Sequence, residues 1–237
     1  MNPYTYHNIF ETKGIEYLVV IGFLLLIIPF WSWLNKPVKM KSEAGQLLGS
    51  LTPQVLRVPK GLLYSLNHTW AHLSKAGLAT VGMDDLLLHL TGGVEVQFLK
   101  NQHEKVGRGE PVAELRQDGK RMLVTSPISG TLVQNHNSLS EEPQSLLEDP
   151  YAAWLLKIEP DRWQHETGNL LMGEKAVRWS SDELDRFRDF MAETTGRPGE
   201  DSQVVYQAGG EIIDHPLSGF DQKVWDRFQE IFLGLGS

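Results

Sequence analysis

Arg116-Gln117-Asp118-Gly119-Lys120-Arg121 joins two extended runs, Gly109-Glu110-Pro111-Val112-Ala113-Glu114-Leu115 before it and Met122-Leu123-Val124-Thr125-Ser126-Pro127-Ile128-Ser129-Gly130 after it. A two-residue type I′ turn needs positive φ at both central positions, which Asp-Gly supplies, so this stretch predicts a β-hairpin. Further turn signals recur on either side: Gly92-Gly93, Gly107-Arg108-Gly109, Ser126-Pro127 and Ser129-Gly130. Val94-Glu95-Val96-Gln97-Phe98 alternates apolar and polar residues, the period of a strand with one wet face. Short strands between frequent turns predict a mainly β domain over residues 60–163, a small sandwich or flattened barrel. Met83 to His89 reads as a short helix inserted between strands, capped by Asp84.

Composition removes several functions. The net charge of −8 leaves no basic stripe to neutralise phosphates, so nucleic acid is not an expected partner. With no cysteine there is no disulfide, thiolate nucleophile, iron–sulfur site or Cys-type zinc site.

The N-terminal part has a different character. Tyr17 to Leu34 is 18 residues without a charge. As a helix it would rise roughly 27 Å, close to the hydrocarbon thickness of a bilayer. Trp31 and Trp33 suit the membrane interface. A transmembrane helix is therefore expected over 17–35, after a tail of residues 1–16. Glu11, Lys13 and Glu16 precede it, whereas Lys36, Lys39 and Lys41 follow it. By the positive-inside rule the N-terminus faces out, and the rest of the chain lies on the cytoplasmic side of an inner membrane. Residues 36–59 form a proline-interrupted linker with weak amphipathic character.

Residues 164–237 form a C-terminal α+β extension. Ser180 with Glu183 has the form of a capping box, followed by Leu184, Phe187, Phe190 and Met191 on one helical face. Thr194 to Ser202 reads as a polar turn. Gln203 to Tyr206 and Glu211 to Ile213 read as a hairpin, and a last helix is expected from about Phe220 to Leu233. Two readings are open for the aromatic residues here. They pack on the β domain, or Trp179, Phe187, Phe220, Trp225 and Phe228 form a docking surface for a protein partner.

Other constellations carry no chemistry. His68 and His72 would be i,i+4 partners if that stretch were helical, but no third ligand lies nearby and the remaining histidines are scattered, so no metal site is expected. His68 is expected to pack with Trp70 near the edge of the domain. Adjacent acids such as Asp84-Asp85 and Glu141-Glu142 do not by themselves converge across a cleft. Gly107-Arg108-Gly109 lacks the third glycine and the strand-loop-helix setting of a nucleotide fingerprint.

Several phrases together resemble the glycine cleavage H-protein family of the lipoyl-domain superfamily. They are His68-Thr69-Trp70, Val81-Gly82-Met83-Asp84-Asp85, Val106-Gly107-Arg108-Gly109-Glu110-Pro111, Ser126-Pro127-Ile128-Ser129-Gly130, and Leu146-Leu147-Glu148-Asp149-Pro150-Tyr151 followed by Trp154-Leu155. The resemblance covers residues 61–160 and implies a flattened barrel of two antiparallel sheets. It also implies a lysine that carries lipoyl, preceded by a Glu-Ser-Val type run and followed by Ala. An ungapped reading from Gly109-Glu110-Pro111 to Ser126-Pro127 sets Gly119 at that position, Arg116 where the family has Glu, and Lys120 one residue late. One step along a strand turns a side chain to the other face. The resulting expectation is a membrane-anchored, non-catalytic module that binds the bilayer and a partner enzyme or complex without a cofactor. The alternative is a lipoyl or acyl carrier with its arm on Lys120.

Overall fold

A computed structural model describes residues 17–27, 51–140, 142–195 and 212–235. The chain forms two compact units, residues 1–41 and 42–237. In the first unit, residues 17–27 are helical and their apolar side chains are exposed, Leu26 by 70%. Among the described residues no helix is long and apolar enough to cross a membrane. The span expected over 17–35 is described only as far as residue 27. Its remainder lies outside the described residues, as do the tail 1–16 and the linker up to residue 50.

The second unit is built on two antiparallel sheets. The larger contains β1 (Leu63–Tyr64), β2 (Thr69–Leu73), β3 (Ala79–Met83), β5 (Lys105–Val106), β8 (Gly130–Asn135) and β9 (Leu156–Pro160), in the order β1-β2-β3-β9-β8-β5. The smaller contains β4 (Glu95–Phe98), β6 (Pro111–Gln117) and β7 (Lys120–Thr125), in the order β4-β6-β7. The mainly β reading therefore holds. In β4, Val96 faces the core while Glu95 and Gln97 face water, as the alternation requires. The glycine at Gly82 allows β3 to approach Trp70, since a Cβ there would lie 2.5 Å from the indole ring.

Helix α1 spans Asp85–Thr91, with the Asp84 carboxylate accepting from the Leu87 amide at 2.8 Å. It starts two residues later than its pattern suggests because Met83 still pairs with Thr69 across β2 and β3. Short helices α2 (Gln144–Glu148) and α3 (Trp163–Thr167) flank the sheets. Helix α4, Glu174–Thr195, begins well before Ser180, so the expected capping box is a correction. The helix opens after Gly173, whose carbonyl accepts from Ala176 and Val177. Ser180 is buried in its interior, and Glu183 points to an ion cluster rather than to a helix end. Thr194 and Thr195 remain helical and donate their hydroxyls to the carbonyls of Phe190 and Met191. The rest of the expected polar turn and most of the hairpin over 203–213 lie outside the described residues.

Helix α5, Gln222–Phe232, is capped by the Asp221 carboxylate on the Val224 amide. One apolar core runs from Leu51 through both sheets to Leu233, across the boundary expected at 163/164. It includes Trp225 and the four phenylalanines Phe187, Phe190, Phe228 and Phe232, whose rings contact one another, as Phe228 and Phe232 do, stacked at 4.7 Å. Burial of each such ring contributes about 1.5–3 kcal/mol. The docking reading for these residues needs correcting on this point. Phe187, Trp225 and Phe228 are wholly inside, Phe220 and Trp179 are half-buried against the same chain, and they form no exposed face.

Candidate functional site: the hairpin tip and its cover

The decisive turn forms as its residues require. Asp118 and Gly119 adopt φ of 50° and 81°, and Gln117 pairs with Lys120 across the hairpin. Gly119 is exposed, and a Cβ built on it meets nothing within 4 Å. A side chain at 119 would thus project into open space. Lys120, the first residue of β7, is only 9% exposed. Its Nζ donates to the Ser218 carbonyl at 2.5 Å and lies 5.2 Å from the centre of the Trp225 ring. Trp225 is itself oriented by its indole N–H, which donates to the Leu217 carbonyl at 2.9 Å. The carbonyl and the π-face together stabilise the ammonium where water cannot.

β7 is an edge strand, and α5 covers that edge. The Arg121 amide donates to Gln222 Oε1 at 2.7 Å, and Gln222 Nε2 returns a bond to the Arg121 carbonyl at 3.0 Å. The Leu123 amide donates to Gln229 Oε1 at 2.6 Å. Two glutamine side chains thereby satisfy backbone groups that an uncovered edge would offer to another strand.

An open cavity of about 780 Å³ lies at the tip, lined among others by Glu95, Glu114, Arg116, Gly119, Lys120 and Arg121. Arg116 Nε donates to Glu114 Oε1 at 2.5 Å, and Gln117 Nε2 donates to the carbonyls of Thr91 and Gly93. Arg116 is thus engaged within its own strand. No nucleophile–base pair is assembled at the tip. Among the described residues, no group of three or more His, Asp or Glu is placed to hold a metal ion.

The most strongly polarised cluster lies elsewhere and escaped the sequence reading. His68, with φ of 58°, is fully buried. Its Nδ1 is 2.8 Å from Asp84, its Nε2 is 3.7 Å from Glu183, and its ring lies 5.2 Å from that of Trp179. The expected packing on Trp70 at the domain edge is therefore a correction: the partners are two carboxylates and Trp179. His89 sits between Asp214, at 2.8 Å, and Asp85, at 3.6 Å. Burial alone would lower both histidines, but the flanking carboxylates outweigh it and raise each to about 9. Burial would raise Glu183 and Asp85, yet each is held below the usual carboxylate range. His68 and Arg186 act on Glu183, and His89 and Arg57 act on Asp85. The signal for this cluster was present only in part, as the Asp84-Asp85 pair and the i,i+4 spacing of Asp85 and His89.

A sequence model of the glycine cleavage H-protein matches residues 62–183, just over half of the chain. The chain belongs to the glycine cleavage H-protein family. It is 31% identical over 119 residues to the probable glycine cleavage system H protein of Pyrococcus abyssi, covering 50% of this chain and 89% of that one. It is 38% identical over 103 residues to the corresponding protein of Picrophilus torridus, covering 43% and 82%. A crystal structure of a glycine cleavage system H protein from Mycobacterium marinum aligns with 54% of this chain and 99% of that one, at 23% identity and a TM-score of 0.46. This chain is an H-protein-like module and not an enzyme.

The family match ends at residue 183. The residues that cover Lys120 and the β7 edge, from Leu217 to Gln229, lie beyond it. The tip also fits an amide-linked lipoyl arm poorly. Gly119 has no amine, and the Lys120 amine is buried between the Ser218 carbonyl and the Trp225 ring.

Proposed function

We propose that this H-protein-like chain has no lipoyl arm and serves as a docking module, held at a membrane by its N-terminal segment with the folded unit on the cytoplasmic side. The observation that carries this reading is the state of the hairpin tip. An exposed glycine stands where the ungapped reading sets the arm, and Lys120 is a strut between β7 and the C-terminal segment. Two features support the membrane anchor. One is the uncharged run from Tyr17 to Leu34, and the other is the lysine-rich segment that follows it. The helix over 17–27 exposes apolar side chains suited to lipid.

A carrier domain is shaped to be approached by enzymes, and that property does not depend on the arm. The partner in this reading is a protein of a membrane-associated complex, with neither nucleic acid nor a cofactor required. Purification of the full chain in mild detergent tests it. Co-purification of a stoichiometric membrane-associated protein is the expected result. A monodisperse monomer alone, or recovery of the full chain in the soluble fraction, contradicts it.

A further inference from the structure

The adjacent pair Asp84-Asp85 faces two ways. Asp84 turns to His68 and Asp85 to His89, and each histidine then reaches a carboxylate on the C-terminal extension, Glu183 of α4 or Asp214 ahead of α5. Each of these contacts continues to one end of the cover over β7. Glu183 holds Arg186 at 2.7 Å, and Arg186 donates to the Ile231 carbonyl at the C-terminal end of α5 and lies 4.6 Å from the Phe232 ring. On the other side the His215 amide donates to the His89 carbonyl at 2.8 Å, and three residues later Ser218 accepts from Lys120. The cover is thereby pinned at both ends through one acidic pair.

We propose that His68 and His89, each bridging the Asp84-Asp85 pair to the C-terminal extension, form a double latch whose protonation holds the cover over Lys120 and the β7 edge, and that loss of those protons loosens it. The physical reason is local charge balance. Around His68 the facing groups are Asp84 from the α1 cap and Glu183 from α4, with Arg186 behind Glu183 and the Trp179 ring alongside. Around His89 they are Asp85 and Asp214, with Arg57 behind Asp85 and His215 3.6 Å from Asp214. A neutral His68 leaves the buried carboxylates of Asp84 and Glu183 on either side of an uncharged ring, with Arg186 beside Glu183. Such uncompensated buried charge is costly.

The sign follows from the direction of the shifts. A histidine raised above its unfolded value adds stability in full below about pH 6.5 and loses it as pH rises through about 9. The apolar residues Trp225, Phe228 and Phe232 still hold α5 when the latch is neutral, so the change is in how often the cover opens. On opening, each histidine keeps its own aspartate, so its pKa falls only part of the way toward the ordinary value.

This inference does not depend on whether Lys120 is ever modified. Hydrogen exchange of the full chain in detergent, at pH 7 and pH 10 and corrected for intrinsic exchange, tests it. Amides of residues 222–232 should lose about tenfold or more of their protection relative to β2 and β3. Asp214→Asn, at a half-exposed position, should lower protection of α5 at pH 7 and flatten its pH profile. His89→Gln, if folded, should do the same. A constant ratio between α5 and β2–β3 from pH 7 to pH 10, or an Asp214→Asn variant with the wild-type profile, overturns the proposal.

Discussion

Gly119 and Lys120 are neighbours in the chain and occupy opposite environments. On the Gly119 side the hairpin faces open space. On the Lys120 side it faces Trp225, Ser218 and two glutamines of a helix that lies beyond the family match. The contrast is steep because Gly119 closes the turn at positive φ, whereas Lys120 opens β7 beneath the cover. A lysine at 120 is therefore not equivalent to a lysine at 119. The second lesson is that the cover is part of the core: α5 contributes Trp225, Phe228 and Phe232 to the same apolar cluster as the sheets.

Substitutions on the two sides should differ in size. Trp225→Ala removes a fully buried indole together with its hydrogen bond and its contact with Lys120. It should cost about 3–5 kcal/mol in denaturant unfolding and leave Lys120 open to acylating reagents. Gln229→Ala leaves the Leu123 amide on the covered edge without its acceptor and should cost about 1–2 kcal/mol. Lys120→Met keeps the apolar stem over Trp225 and loses only the ammonium contacts, for about 1 kcal/mol. Gly119→Asn, on the open side at a φ that Asn tolerates, should shift stability by less than about 1 kcal/mol. If Gly119→Asn cost as much as Trp225→Ala, the contrast between the two sides would be wrong.

The local features were legible. The Asp-Gly turn, the alternation of Val94 to Phe98, the Asp84 cap and the last helix all follow from short-range rules, and the structure contains each of them. What was not legible depended on partners distant in the chain. Ser180 and Glu183 carry the form of a capping box, but Glu183 is claimed by His68 from before β2, and the helix starts at Glu174. The aromatic surplus of the extension suggested an exposed surface, yet nothing local says that Trp225 and Phe228 pack inward beside the sheets. The step from Gly119 to Lys120 could be read directly, whereas the burial of Lys120 could not, because Ser218 and Trp225 reach it from far along the chain.

The most direct test compares the wild-type chain with a Gly119→Lys, Lys120→Met double variant, each produced in cells competent in lipoylation and weighed intact. A turn lysine at φ near 81° should cost about 1 kcal/mol. The expected result is an unmodified wild-type mass, with a lipoyl-sized increment confined to the variant. A lipoyl-sized increment on the wild-type chain, lost with Lys120→Met alone, would contradict the assignment of Lys120 as a buried strut.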